Sequence, residues 1–205
     1  MGFYLEVIRT VFQSVDREGK SRNGVVAFTS ATSGEGVSYV VDLLARELAV
    51  QTKKRVLRVE AAELQSLADL VEPDHLARHC EETEMDNLLT LCGTESDSRI
   101  ARRQDFGALS TDWDSRPEYR STCLEALRSD FDYVLIDCPA TGDSADATTL
   151  ASVVDGVAVV VKAGQTRRRQ IQRCQQIIES AGGNLLGFVL NQRTYPVPNW
   201  LYSRL

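Results

Sequence analysis

The stretch from Val25 to Tyr39, VVAFTSATSGEGVSY, constrains the fold of this chain more than any other. Residues 25–29 are apolar and rich in β-branched side chains, which is typical of a buried parallel strand. A turn of small residues with two glycines follows, and from Val37 onward apolar residues recur at helical spacing. This order predicts a phosphate-binding loop, because turn amides and a helix N-terminus attract an anion.

The match to the P-loop pattern G-x-x-x-x-G-K-[ST] is incomplete. The pattern aligns with residues 31–38. Ala31 replaces its first glycine, Gly36 is its second glycine, and Ser38 supplies its hydroxyl. Val37 stands where the lysine belongs, and that lysine contacts the β- and γ-phosphates. The backbone amides, the helix dipole and the Ser38 hydroxyl remain, so weakened phosphate binding is predicted. A strand-to-helix turn that only packs in the core is the alternative.

Composition narrows the class of protein. A chain of 205 residues with average apolar content predicts one domain, 1–205, with a sizeable core. The net charge of −6 argues against nucleic acid as a partner. No apolar run approaches the length of about 18 residues that a membrane span needs, and a basic-then-apolar signal peptide is missing. The five cysteines form no C-x-x-C pair, which indicates reduced thiols in a cytoplasm.

The remaining pattern predicts an α/β fold. A helix over residues 1–15 and a linker to residue 23 precede an α/β core at 24–195, and a tail covers 196–205. Strand 25–29, helix 37–51 and strand 55–60 make a βαβ unit, which predicts a parallel sheet. Further strands are predicted at 131–139, 156–162 and 185–191, helices at 117–130 and 166–181 with Thr166 as N-cap, helical patches at 61–80 and 82–91, and a short strand at 108–110. The whole is a doubly wound, mostly parallel sheet with helices on both faces, as in P-loop NTPases.

Three features follow strands at their carboxyl ends, where ligands bind in an open parallel sheet. The turn follows the first strand, Asp137 ends the strand VLID, and Asn191 ends the last strand. Ser38 and Asp137 have the oxygen ligands that Mg²⁺ prefers. The amide of Asn191 suits a nucleobase edge, because it both donates and accepts hydrogen bonds. Together these features predict a nucleotide site.

The candidate site residues fall into three classes. Asp137 and Glu60 are the catalytic candidates, and Ser38 and Asp137 are the Mg²⁺ ligands. The nucleotide-binding candidates are Ser33, Gly34, Glu35, Gly36, Val37, Ser38, Tyr39 and Asn191. Simpler roles stand beside these: Asp137 as a turn cap, Glu60 as an exposed strand-end carboxylate, and Glu35 as a solvated turn residue.

Two further clusters carry weaker signals. The arginines at 167–169, with Arg173, suit lipid head groups, an acidic partner or phosphate, although such clusters are usually solvated helix faces. His75, His79 and Cys80 are metal-ligand types. On a helix Cys80 points about 100° away from His79, and no fourth ligand is evident, so no zinc is expected.

The order of the segments resembles the bacterial tyrosine kinases (BY-kinases) of exopolysaccharide synthesis. These kinases belong to the P-loop ATPase superfamily, which also holds the partition and septum-site ATPases. The resemblance rests on TSATSGEGVS, VLRVEAAEL, FDYVLIDCPA, VVDGVAVVVKAGQTRRR and LLGFVLNQRTYP. The family's Walker B aspartate, which stands two residues before a proline, is kept as Asp137 with Pro139.

The chain departs from this family at the chemistry. The family's loop ends GEGKS or GEGKT, whereas Val37 replaces the lysine here. The family's D-x-D-x-x-R motif reads EAAELQ at residues 60–65, so its second aspartate is Ala62. The N-terminal E-x-x-R-x-x-R motif, linked in the family to ring assembly, ends in Phe12, and the C-terminal tyrosine cluster is absent from the sequence.

The resemblance therefore implies a degenerate, tyrosine-kinase-like pseudoenzyme of exopolysaccharide or capsule biosynthesis. Such a protein would regulate or scaffold a membrane chain-length determinant, a polysaccharide export protein, from the inner face of the membrane. It would bind ATP or ADP with Mg²⁺ weakly or not at all, and a homo-oligomer is implied. One alternative is an active kinase or ATPase in which Lys162 or a neighbouring chain's arginine supplies the charge. Another is a pure protein–protein interaction module.

Overall fold

A computed structural model of the chain describes residues 24–91, 113 and 116–192. The predicted helix at 1–15, the predicted strand at 108–110 and the tail at 196–205 lie outside the described residues. No helix in the described part combines the length and the apolar character needed to cross a membrane.

Seven strands and five α-helices make up the described fold, together with one 3₁₀ helix. The strands are β1 (Gly24–Ser30), β2 (Val56–Glu60), β3 (Cys80–Glu82), β4 (Leu88–Leu91), β5 (Tyr133–Asp137), β6 (Gly156–Lys162) and β7 (Leu185–Asn191). The α-helices are α1 (Val37–Thr52), α2 (Ala61–Ala68), α3 (Pro117–Asp130), α4 (Asp146–Ala151) and α5 (Arg168–Ser180), and the 3₁₀ helix is Pro73–His79.

The strands form one sheet in the order β3-β4-β2-β5-β1-β6-β7. All neighbouring strands pair in parallel except β3, which pairs antiparallel with β4 at the edge. Strand β1 lies between β5 and β6 and is buried along its whole length, as expected for a strand covered on both faces. The predicted α/β class with a mostly parallel sheet is therefore confirmed.

Helices cover both faces of this sheet. On one face, α1 packs its apolar stripe, including Val40, Leu44 and Leu48, on alternate residues of the central strands. On the other face, α2 to α5 bury a larger apolar cluster around Val134, Ile136 and other central-strand residues. The carboxyl ends of β1, β2 and β5 consequently open at one edge of the molecule, between α1 and α2.

Three local predictions were wrong. The patch at 82–91 holds a strand, β4, because its short apolar run pairs with β2, and a run of that length fits either structure. The predicted helical patch at 61–80 is interrupted. Helix α2 ends at Ala68, and a 3₁₀ helix begins at Pro73, a residue that cannot continue an α-helix. The N-cap of α5 is Arg167 rather than Thr166.

Candidate functional site

The turn between β1 and α1 folds as a compact loop at the edge of a cavity. The cavity has a volume of about 370 Å³. It is lined by residues 33–38 of the turn, residues 60–62 after β2, residues 137–140 after β5, Ser30 and Asp143. The predicted site residues from Ser33 to Ser38 are thus brought together with Glu60 and Asp137 around one space.

Two glycines shape the turn. Gly34 and Gly36 have φ angles of 78° and 85°, in the left-handed region that side chains rarely adopt. A Cβ on Gly36 would lie 2.4 Å from Nδ2 of Asn191, whereas a Cβ on Gly34 would meet nothing within 4 Å. Gly36 is therefore required both by its backbone conformation and by the close approach of β7.

This difference predicts unequal effects of two alanine substitutions. We expect Gly34→Ala to lower the free energy of unfolding by about 1 kcal/mol, through backbone strain alone. Gly36→Ala should lower it by about 2 kcal/mol, because the Asn191 amide must also move. Urea denaturation of both variants measures the two losses, and equal losses would show that the Asn191 contact adds nothing.

The amide of Asn191 serves the loop. Its Nδ2 donates to the carbonyl oxygen of Glu35 at 2.9 Å, and its Oδ1 accepts from the backbone N–H of Gln192 at 2.8 Å. The residue is buried and does not line the cavity. Contact with a nucleobase stays a prediction. Tyr39, the other candidate outside the cavity lining, is 63% exposed on α1.

Glu35 is buried and holds the turn together through its carboxylate, so its interpretation as a solvated turn residue was wrong. Its side chain is 2% exposed, and its carboxylate accepts hydrogen bonds from the Ala31 N–H at 3.2 Å and the Thr32 hydroxyl at 3.0 Å. The Thr166 hydroxyl, in the connection after β6, also donates to this carboxylate. The contact to Thr166 was missed from the sequence, although a lone acidic residue among small turn residues was a signal for a buried role.

Asp137, Glu60 and Arg58 form a charge cluster at the cavity, which the two carboxylates line. Asp137 is 7% exposed, and Ser38, which lines the same cavity, is close enough to affect its carboxylate. Nη2 of Arg58 lies 3.6 Å from Oδ2 of Asp137 and 3.2 Å from Oε1 of Glu60. Burial raises the pKa of Asp137, while Ser38 and Arg58 lower it and Glu60 raises it further.

Arg58 was missed as a site residue. The signal was a single arginine inside the apolar strand VLRVE, two residues before Glu60 and therefore on the same face of the sheet. Glu60 pairs in register with Asp137 of the neighbouring strand, so the guanidinium reaches both carboxylates.

The residues around the cavity can be tested against the groups that a P-loop implies. The open space at Gly34 and the turn at the start of α1 fit a phosphate group. The Ser38 hydroxyl and the Asp137 carboxylate fit Mg²⁺ by ligand type, but Asp137 is already paired with Arg58. Val37 lines the cavity, and its side chain offers only hydrocarbon to a phosphate.

The other predicted clusters lie away from this cavity. The arginines at 167–169 and Arg173 are exposed at the start of α5. His75 and His79 lie in the 3₁₀ helix, and the described residues hold no group of three potential metal ligands. Burial raises the pKa of the Cys80 thiol to about 12 and that of Cys123 to about 11, so both thiols are protonated at neutral pH.

Sequence comparison finds relatives among bacterial tyrosine kinases. The chain is 35% identical over 74 residues to tyrosine-protein kinase CpsD of Streptococcus agalactiae, covering 36% of this chain and 32% of that protein. It is 30% identical over 191 residues to tyrosine-protein kinase YwqD of Bacillus subtilis, covering 88% of this chain and 75% of that protein. A third relative is the succinoglycan biosynthesis transport protein ExoP of Rhizobium meliloti, with 25% identity over 84% of this chain and 22% of ExoP.

The chain thus spans only about a third of the CpsD relatives but most of YwqD. No sequence profile of a known protein family matches the chain.

Solved structures share the same fold. The kinase domain of Escherichia coli tyrosine kinase ETK superimposes with a TM-score of 0.67 at 19% identity, covering 94% of this chain and 79% of that domain. The BceF tyrosine kinase domain gives 0.65 at 26% identity, covering 90% and 76%. A ParA family ATPase from Chlorobium tepidum gives 0.59 at 16% identity, covering 82% and 74%.

The sequence relatives and the fold agree with the family resemblance read from the motifs. The alignment with YwqD extends over most of both chains, including the phosphate loop and the strand of Asp137. This chain therefore belongs to the bacterial tyrosine-kinase family of the P-loop ATPase superfamily.

Proposed function

We propose that this chain is a degenerate member of its family, a tyrosine-kinase-like protein of exopolysaccharide or capsule biosynthesis with weak nucleotide binding and little or no turnover. In this role it acts in the cytoplasm as a regulatory or scaffolding partner of a membrane chain-length protein. The observation that carries the proposal is Val37 on the cavity wall, where the family pattern has lysine, in a loop that otherwise keeps its shape.

Binding and turnover respond differently to this substitution. The amides of the turn and the N-terminus of α1 still hold phosphate, and Ser38 and Asp137 are the residues that would hold Mg²⁺, which neutralises phosphate oxygens when bound. The side chain of Val37 is uncharged, so it cannot stabilise the charge that develops on the phosphates in the transition state. Cationic side chains that contact the transferred phosphoryl group accelerate the reaction by about 10³–10⁵-fold. Without such a group, productive phosphoryl transfer is lost before nucleotide binding is.

The second acidic motif is also reduced. Ala62 lines the cavity where the family pattern has an aspartate, and the carboxylate of Glu60 is paired with Arg58. Lys162, the candidate replacement charge within this chain, ends β6 and is not among the residues that line the cavity. These features favour the degenerate member over an active kinase.

The proposal is tested by titrating ATP and ADP, with and without Mg²⁺, while following melting temperature and phosphate release. At millimolar ADP we expect a stabilisation of about 1 kcal/mol, which raises the melting temperature by about 2–4 °C. Phosphate release should not exceed that of Ser38→Ala. Turnover above this control would establish an active enzyme. The absence of any thermal shift would support the alternative of a pure protein–protein interaction module.

The proposed partnership needs a separate measurement. The relative named as a transport protein of succinoglycan biosynthesis supports this setting. We expect the chain to co-purify from detergent extracts with the chain-length protein of its own source, with or without added nucleotide. A complex that forms only with ATP would contradict a scaffolding role and favour an active, nucleotide-driven one.

A further inference from the structure

Arg58 is the only cationic side chain among the described residues that forms an ion pair with a carboxylate of the cavity wall. Its side chain is 23% exposed, so most of it is shielded from water. The shielding strengthens its interaction with Asp137, which is itself 7% exposed. The pair is thus unlike an exposed surface salt bridge, where solvent screens most of the attraction.

The position of Arg58 is fixed by the sheet. Leu57 and Val59, its neighbours on β2, are fully buried on the opposite face. Arg58 is in register with Leu135 on β5. It lies two residues before the pair formed by Glu60 and Asp137, on the same face of the sheet. The guanidinium therefore reaches forward along the sheet to the carboxyl ends of two strands, which is where the cavity opens.

Arg58 also has unused hydrogen-bonding capacity. Its Nε is buried without a hydrogen-bond partner in the part of the chain that the structure describes. A guanidinium carries five N–H donors, and the two carboxylate contacts both come from Nη2. The described residues therefore do not saturate this guanidinium group.

This cation and Mg²⁺ compete for the same carboxylate. Magnesium is bound through ionised carboxylates and sheds its water reluctantly, so it needs Asp137 free of other charge partners. With Arg58 in place, a metal ion near Asp137 would meet a like charge a few ångströms away, and like charges at that separation repel. The residues present thus fit Mg²⁺ by ligand type but oppose it by charge.

We propose that Arg58 is the resident cation of this site, pairing with Asp137 and Glu60 and offsetting part of their charge in place of Mg²⁺, so that the cavity takes nucleoside di- or triphosphate with little dependence on the metal. The inference rests on the proposed nucleotide-binding function and names the form of nucleotide, metal-free, that the site accepts. Arg58 acts here as a positioning and charge-compensating residue behind the cavity wall, not as a group that reacts.

The test compares ADP affinity in excess Mg²⁺ with affinity in EDTA, measured by ligand-observed NMR titration. For the wild-type chain we expect dissociation constants within about threefold of each other. In Arg58→Leu the two carboxylates are no longer compensated and repel phosphate when metal is absent, so the ratio should rise to about tenfold or more. Arg58→Lys keeps the charge and should stay near the wild-type ratio.

Arg46→Leu is the matched control, because Arg46 pairs with Asp42 on the exposed surface of α1. It removes the same charge and should leave the ratio unchanged. A wild-type ratio of about tenfold or more, or an unchanged ratio in a folded Arg58→Leu, would overturn the inference. If Arg58→Leu fails to fold, the wild-type ratio and Arg58→Lys still decide.

A metal titration without nucleotide separates this inference from the proposed function. By electron paramagnetic resonance, we expect Mn²⁺ to bind Arg58→Leu at least about fivefold more tightly than wild type, and Asp137→Asn in that background to remove the gain. This result together with no ADP binding would support the role of Arg58 and refute nucleotide binding. Equal Mn²⁺ binding by wild type and Arg58→Leu would refute the role of Arg58 itself.

Discussion

Val37→Lys is expected to tighten ADP binding by about 10- to 100-fold, because a charge-assisted hydrogen bond to a phosphate contributes about 1.5–3 kcal/mol. Val37 lines the cavity at the first turn of α1 and is 9% exposed. A lysine there can keep its methylene stem on the apolar surface that valine now covers while its ammonium group extends to the phosphate. Turnover should stay low, since Ala62 still lacks the carboxylate of the second acidic motif.

The matched control for this prediction is Val50→Lys. Val50 lies on the same helix and is exposed, so the substitution adds the same charge far from the cavity. We expect its ADP affinity to stay within about twofold of wild type, because exposed charges at that separation are screened by salt. If Val37→Lys binds ADP no better than this control, the turn is not the phosphate cradle that its shape indicates.

The sequence predicted those parts of the fold that local pattern determines. Strands β6 and β7 were predicted with the bounds that the structure shows, since each is an apolar run with turn residues on both sides. Helix α3 begins at Pro117 as predicted, because proline fits the first turn of a helix. Strand β4 was missed because its identity depends on pairing with β2, which is distant in sequence.

The same division holds for the site. The placement of the β1–α1 turn and Asp137 around one cavity was predicted, because the carboxyl ends of parallel strands meet at one edge of a sheet. The contacts of Arg58 and Thr166 were not, because each depends on which strands are neighbours. Arg58 meets Asp137 only because β2 pairs with β5, and Thr166 meets Glu35 only because β6 pairs with β1. Strand order is a property of the whole chain, and no local pattern gives it.

Glu35→Ala is expected to lower the free energy of unfolding by about 3–4 kcal/mol. The substitution leaves three donors without their acceptor: the Ala31 N–H and the hydroxyls of Thr32 and Thr166. Each buried donor left unsatisfied costs about 1–3 kcal/mol. The Thr166 hydroxyl can turn to the carbonyl oxygen of Lys162, 3.2 Å away, so the loss is less than the full sum. Urea denaturation followed by circular dichroism measures the difference.

Glu47→Ala provides the comparison, because Glu47 on α1 accepts a hydrogen bond from Gln51 at the helix surface. Its loss should be under about 0.5 kcal/mol, as is usual for surface substitutions. Glu35→Gln should lie between the two, since an amide keeps one acceptor oxygen but turns a donor toward another donor. The Glu35 carboxylate also holds the turn against the connection after β6. Glu35→Ala should therefore weaken ADP binding even at temperatures where the chain stays folded. Equal stability of Glu35→Ala and Glu47→Ala would mean that the turn keeps its shape without the buried carboxylate, and that Gly34, Gly36 and Asn191 are enough to hold it.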